Sequence, residues 1–286
     1  IFDSLDEAFL YRGVPTDLQV LIDGIDFVPD AVVFGLGWFN HKSYKKIENI
    51  NIPSVCMLFK PQNSLDEKLN FCTNNNIDVI LTPIPQYKKY EEKTGIRTIL
   101  FPYGFDPKVF ANRKIKKEYD IGFSGALHQS SLYPDGSFRT VNIRKEIGII
   151  LSSIPLARVF WRSSDNAATA YIDDIGEYAD TIGKSRMWIA TQAAYGDITP
   201  RFYEVLASGA LLLCPGIPEE YSHLLVHGHN CVEFSDDLSD LEEKIRYYVA
   251  NPDEAEKISS AAANYFRDNH TWNHRANMLY NILGEI

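Results

Sequence analysis

Along nearly the whole chain, short runs of consecutive apolar residues alternate with longer stretches in which apolar residues recur every three or four positions. In the first part the short runs fall at 31–37, 55–59, 77–81 and 96–101. They are mostly apolar rather than alternating, as expected for strands covered on both faces in a parallel sheet. Helical periodicity over 64–75 and 87–93 separates them, and a basic amphipathic stretch covers 41–48. The run Pro102-Tyr-Gly-Phe-Asp-Pro107 breaks the rhythm, and 102–118 reads as a linker. A second series then predicts strands at 119–123, 157–161, 187–190, 210–213 and 231–234. Helices are predicted between them at 139–152, 166–185, 200–208 and 237–250, and two more, at 252–267 and 272–286, follow the last strand. Strand–helix alternation of this kind predicts two layered α/β domains.

Length and composition narrow the picture. A chain of 286 residues, 45% hydrophobic and 23% charged, suits two folded domains and excludes a disordered protein. Its 28 basic against 38 acidic side chains give a net charge of −10, a field that repels a nucleic-acid backbone. Nucleic acid is therefore not an expected partner, and an anionic small ligand needs a local pocket of positive groups. Cys56, Cys72, Cys214 and Cys231 form no C-x-x-C or zinc spacing, so reduced, buried thiols of a cytoplasmic protein are expected. The longest apolar runs are too short to span a bilayer, and no secretory leader is read. The chain begins at Ile1 rather than Met, which leaves room for an upstream segment. Oligomeric state is not legible.

The strongest chemical signal is Thr199-Pro-Arg-Phe-Tyr-Glu-Val-Leu-Ala-Ser-Gly209. Thr199 can cap a helix, Pro200 suits its first position, and Gly209 can end it. The free N–H groups and dipole at such a start favour an anion, and Arg201 adds a positive charge. Glu204, one turn on, could accept hydrogen bonds from two vicinal hydroxyls. A well-capped core helix with a solvated Arg and Glu explains the same residues about equally well. A weaker signal is the predicted turn over Gly122, Ser124, Gly125 and Ala126 with His128 behind it, where glycines let backbone N–H groups approach a phosphate. Lys184 and Arg186 could point at phosphates, although cations at a helix end are ordinary. Trp161, read at the carboxyl end of its strand, could flank a base or fill the core. The G-x-G-x-x-G and P-loop patterns are absent, which disfavours an NAD-dependent dehydrogenase. No D-x-D metal motif is read, and Asp173-Asp174 and Asp236-Asp237 fit solvated pairs, so no metal is expected.

The run from Arg201 to Leu213 resembles the R-x-F/Y-E-x-L-A-x-G-x-x-L element of group 1 glycosyltransferases with the GT-B fold. The likeness extends to Pro218-Glu-Glu-Tyr221, 238–248, Asn251-Pro252 and His270-Thr-Trp-Asn-His-Arg275. That last block, with 101–107 and 119–125, is most similar to the spore-maturation (CgeB-type) branch. The resemblance covers about 101–286.

It implies two Rossmann-like domains facing across a cleft. These are an acceptor domain over 1–105, a donor domain over 106–271, and a final helix, 272–286, crossing back to the first. It implies a glycosyltransferase that moves a sugar from a UDP-, GDP- or dTDP-sugar to a glycan or other hydroxyl acceptor, with no cofactor. Glu204 would hold the donor ribose, with Gly122, Ser124, Gly125, Ala126, His128, Trp161, Lys184, Thr199, Arg201 and Tyr203 around the donor. Many retaining members carry a glutamate where Gly196 stands, and Asp197 beside it could substitute. Arg201 and Lys184 would offset the charge of the leaving diphosphate. His41 is the first candidate for a general base in an inverting enzyme, and Lys60 could contact phosphate or acceptor. Two other readings stay open: a catalytically silent binding or structural protein with this fold, and a sugar-nucleotide epimerase.

Overall fold

The computed structural model describes residues 17–36, 52–61, 63–127, 143–155, 157–193 and 195–286. They form two compact units, 1–102 together with 273–286, and 103–272. His41, His128 and the basic stretch 41–48 lie outside the described residues.

In the first unit, helix α1 (Leu18–Asp23) precedes strands β1 (Val32–Leu36) and β2 (Ser54–Leu58). Helix α2 (Leu65–Asn74), strand β3 (Val79–Thr82), helix α3 (Tyr87–Thr94) and strand β4 (Arg97–Leu100) follow. The strands pair in parallel in the order β1-β2-β3-β4. α1 was not anticipated. Its six residues are too few for a periodicity to register, and its signal is the Asp17 side chain, which accepts from the Gln19 N–H. The last helix of the chain, α10 (Trp272–Leu283), belongs to this unit from Asn273 onward. Its Leu279 and Ile282 pack with Val55, Met57, Val79, Leu81 and Phe101 in one apolar cluster. Lys68 is wholly buried yet satisfied, because its ammonium donates to the carbonyls of Phe59 and Lys60, both at 2.9 Å.

The second unit runs through β5 (Tyr119–Ala126), α4 (Ile143–Ser153), β6 (Val159–Ser164), α5 (Ala167–Ala170), α6 (Ile175–Gly183) and β7 (Ser185–Ile189). It continues with α7 (Pro200–Ala207), β8 (Leu211–Pro215), β9 (Cys231–Phe234), α8 (Leu241–Ala250) and α9 (Pro252–Asn269). Its five strands are parallel in the order β6-β5-β7-β8-β9. The chain leaves β5 towards β6 on one side and resumes at β7 on the other, so strand order reverses beside β5. Ligands of open α/β sheets bind at the carboxyl ends of the strands at such a reversal. Ile121, Phe123, Ile147, Met187, Leu211 and Ile258 lie in the core of this unit, which strands and flanking helices share.

Three features depart from the sequence reading. The predicted turn over 122–126 is strand, because β5 runs on to Ala126 in register with β6, Gly122 opposite Phe160 and Ala126 opposite Ser164. The single helix expected over 166–185 is two, α5 and α6, parted at Tyr171–Asp174, where the Asp174 carboxylate caps the Glu177 N–H at 2.7 Å. The linker read over 102–118 is built into the second unit from Tyr103 onward. There the Lys117 ammonium donates to the carbonyls of Gly183, Ser185 and Gly209, and Arg113 pairs with Asp180.

Candidate functional site

At the carboxyl end of β5 the second unit holds a pocket of about 370 Å³. It is built from pieces far apart in sequence: Ser124 of β5, Arg144 of α4, Tyr171 and Tyr178 around α6, and Thr199, Arg201 and Glu204 of α7. The end of β5 and the start of α7 thus meet in one place.

Each piece has a local reason to be there. Thr199 is extended at ψ 163° and Pro200 takes the first helical position, so α7 begins at the pocket, with the Phe202 N–H donating to the Thr199 carbonyl at 3.0 Å. The Thr199 side chain makes no cap hydrogen bond. Gly125 has φ +149°, and a Cβ there would lie 3.0 Å from Nη1 of Arg201, so glycine makes room for the guanidinium. The Arg201 Nε donates to the Tyr178 hydroxyl at 3.1 Å, and its guanidinium lies 5.8 Å from the Tyr171 ring centre. Arg144 is tied down twice, by Nε to the Thr191 hydroxyl at 2.9 Å and by Nη1 to the Ala126 carbonyl at 2.7 Å.

The electrostatics of the pocket are those of two neighbouring cations. Burial, with Arg201 adding repulsion, pushes Arg144 down to about 10. Two guanidiniums therefore face one cavity, and neither has an ion pair within 4.0 Å among the described residues. Burial raises Glu204 above the ordinary carboxylate value, although the Arg201 charge and the neighbouring Tyr178 hydroxyl oppose it. Burial also raises the Tyr178 phenol, keeping it neutral while it accepts from Arg201. Ser124 is 1% exposed, and its hydroxyl has no hydrogen-bond partner among the described residues. Buried hydroxyls are rarely left unpaired, and this one lines a pocket beside two cations.

Not every expected residue belongs here. Gly122 lies inside β5 under the Trp188 ring, which a Cβ would strike, so its smallness serves packing. Trp161 sits mid-strand, half-buried, stacked on Phe123 with ring centres 4.6 Å apart and close against Gly148; it packs against the core. Tyr203 points to the far side of α7, wholly buried against Phe266 of α9 at 5.9 Å. Lys184 ends α6 beside Glu118 at 3.7 Å, and its carbonyl accepts from Tyr119 at the amino end of β5. Five residue steps of strand, from Tyr119 to Ser124, roughly 17 Å, separate that end from the pocket. Arg186 is at the same end, 3.5 Å from Asp120. Ala126 takes part through its carbonyl alone. Asp197 lies in the loop before α7, where its charge bears on the half-buried Tyr103. Lys60 lies just after β2 in the first unit, with φ 51°.

Arg144, Tyr171 and Tyr178 were missed. Arg144 is the second residue of the helix after the glycine-bearing strand, which was the available cue. The tyrosines had no cue, since an aromatic on an amphipathic helix is usually core.

A family model described as "Glycosyl transferase-like" matches residues 151–281. A sucrose-phosphate synthase from Thermosynechococcus elongatus is similar in structure, with a TM-score of 0.62 at 11% identity over 94% of this chain and 76% of that one. Anabaena HepE, solved with UDP and glucose, gives 0.57 at 12% over 82% and 72%. A glycosyltransferase from Rickettsia africae gives 0.56 at 13% over 94% and 79%. The fold is the GT-B fold. A search of curated proteins finds no significant match. In GT-B terms the described pocket lies in the second α/β unit, and no helix among the described residues is long and apolar enough to cross a membrane.

Proposed function

We propose that the chain is a nucleotide-sugar-dependent glycosyltransferase, allied to the CgeB-type branch, whose pocket in the second unit takes the donor. The observation that carries this reading is the meeting of Ser124, Arg144, Arg201 and the start of α7 in one cavity that also contains Glu204. A diphosphate matches the two guanidiniums, the unpaired Ser124 hydroxyl and the helix N–H groups. The vicinal hydroxyls of a ribose match Glu204. HepE, of the same fold, has been solved with UDP and with UDP-glucose, which supports a donor of that class.

The reaction breaks the bond between the anomeric carbon and the terminal diphosphate oxygen. The diphosphate leaves with added negative charge, and the acceptor hydroxyl forms the new bond and gives up its proton. Arg201, Arg144 and the helix start, already oriented, stabilise the leaving charge without reorganising, so the proposed transfer is metal-independent. Asp197 is assigned to the sugar, His41 to the acceptor proton, and Lys60 to acceptor or phosphate. The acceptor, a glycan or another hydroxyl compound, is assigned to the first unit.

The test is incubation with UDP-, GDP- and dTDP-sugars, with and without hydroxyl acceptors, following nucleotide release by chromatography. Transfer or slow hydrolysis of at least one donor is expected. Tight nucleoside diphosphate binding without turnover would favour the silent protein, and isomerised donor without acceptor would favour the epimerase. Neither binding nor turnover would overturn the proposal.

A further inference from the structure

We propose that Thr191 is a positioning residue of the donor pocket, its hydroxyl joining the Ala126 carbonyl to hold the Arg144 guanidinium towards the ligand's diphosphate. The proposal rests on the nucleotide reading above and extends it to a residue behind the pocket wall.

Arg144 and Arg201 line one cavity and repel each other, and a long cationic side chain relieves such repulsion by reaching out to water. Arg144 instead stays on the pocket wall. Its Nε donates to the Thr191 hydroxyl at 2.9 Å and its Nη1 to the Ala126 carbonyl at 2.7 Å. Both acceptors are neutral, so they orient the guanidinium without cancelling its charge. They leave Nη2 and the second proton of Nη1 for a ligand.

Neither acceptor sits on a loose segment. Ala126 closes β5, in register with Ser164 of β6. Thr191, 2% exposed, follows β7 between two anchored neighbours. The Ala190 N–H donates to the Leu213 carbonyl of β8 at 3.0 Å, and the Gln192 side-chain amide donates to the carbonyls of Pro215 and Gly216. The ends of the paired strands β5 and β7 thus supply one acceptor each, and the Arg144 side chain spans them. Thr191 does not itself line the pocket, so its influence on a ligand runs through Arg144.

Thr191→Val keeps the shape and removes the acceptor, and Thr191→Ser restores a hydroxyl. NMR of protein carrying isotope-labelled arginine follows exchange of the Arg144 Nε–H with water in the absence of ligand, with Arg144→Ala assigning the signal. Calorimetric titration with UDP, GDP and dTDP accompanies it, on wild type, both Thr191 variants, Arg144→Ala, and Thr191→Val combined with Arg144→Ala. In Thr191→Val the Nε–H should exchange faster and nucleotide affinity should fall about threefold to tenfold, and Thr191→Ser should return both towards wild type. In the Arg144→Ala background Thr191→Val should change affinity less than about twofold, an outcome that a merely structural threonine would not give. Unchanged exchange or unchanged affinity in Thr191→Val overturns the proposal, as does an affinity loss that persists in full without Arg144. If wild type binds none of the three nucleotides, the nucleotide reading fails and the ligand-presenting role with it, while the exchange rates separately decide whether Thr191 holds Arg144. Should Thr191→Val melt like an unfolded chain, Thr191→Ala, which also lacks the hydroxyl, takes its place under the same criteria.

Discussion

Glu204 sits where a carboxylate is costly until a ligand arrives, and this has a measurable consequence in the unliganded protein. Its folded value lies above the ordinary 4.5, with burial the largest cause. Above pH 4.5 the folded state therefore holds more of this proton than the unfolded state, and stability falls as pH rises through the Glu204 titration. Glu204→Gln lacks this term, so its melting temperature should gain on wild type as pH rises and the gap should close on acidification; parallel melting curves would contradict it. Two hydrogen bonds from ligand hydroxyls to a charged group are worth about 1.5–3 kcal/mol each, so Glu204→Ala should weaken nucleotide binding at least tenfold. Arg201→Ala should lower kcat more than it raises KM, since charge grows on the leaving group, and an effect confined to KM would assign Arg201 to ground-state binding. At this scale the sequence revealed Arg201, Glu204, Thr199 and Ser124, because a helix start and a glycine-bearing strand leave local marks. It did not reveal Arg144 or Tyr178, whose place depends on which helices flank β5. Trp161, Tyr203 and Lys184 were assigned to the donor on type and neighbourhood, whereas the direction each faces is set by the sheet and by α9.

Elements position these side chains through close backbone approach. Gly122 and Gly125 are three residues apart on β5 but do different work, and substitution separates them. Gly122→Ala drives a methyl into the rigid Trp188 ring and should destabilise the second unit by about 1–3 kcal/mol or more, read as a lower melting temperature. Gly125→Ala meets the movable end of Arg201 at 3.0 Å and also strains a backbone at φ +149°. It should depress nucleotide affinity beyond what its stability loss explains; full affinity in the folded variant would remove Gly125 from the site. Strand positions were legible because buried parallel strands read as short, mostly apolar runs. The break between α5 and α6 was not, since apolar Ile172 carries the helical period across it. The Asp174…Glu177 pair is a helix-start signal that could have marked it.

Over the whole molecule, the chain ends by completing the unit it began. Leu279 and Ile282 of α10 lie in the apolar cluster of the first sheet, so a lesion near the carboxyl terminus should be felt near the amino terminus. Leu279→Ala should cost about 2–5 kcal/mol, with hydrogen exchange quickening in β2–β4 while β7 and β8 stay protected. Equal loss in both units would contradict that division. The acidic charge of −10 repels anions from the molecule at large, which makes the paired arginines of one pocket the feature on which function turns. Calorimetric titration of wild type, Arg144→Ala and Arg201→Ala with UDP, GDP and dTDP tests that most directly. The account predicts that at least one nucleotide binds wild type and that each substitution weakens it tenfold or more. Binding that survives both substitutions unchanged would contradict it.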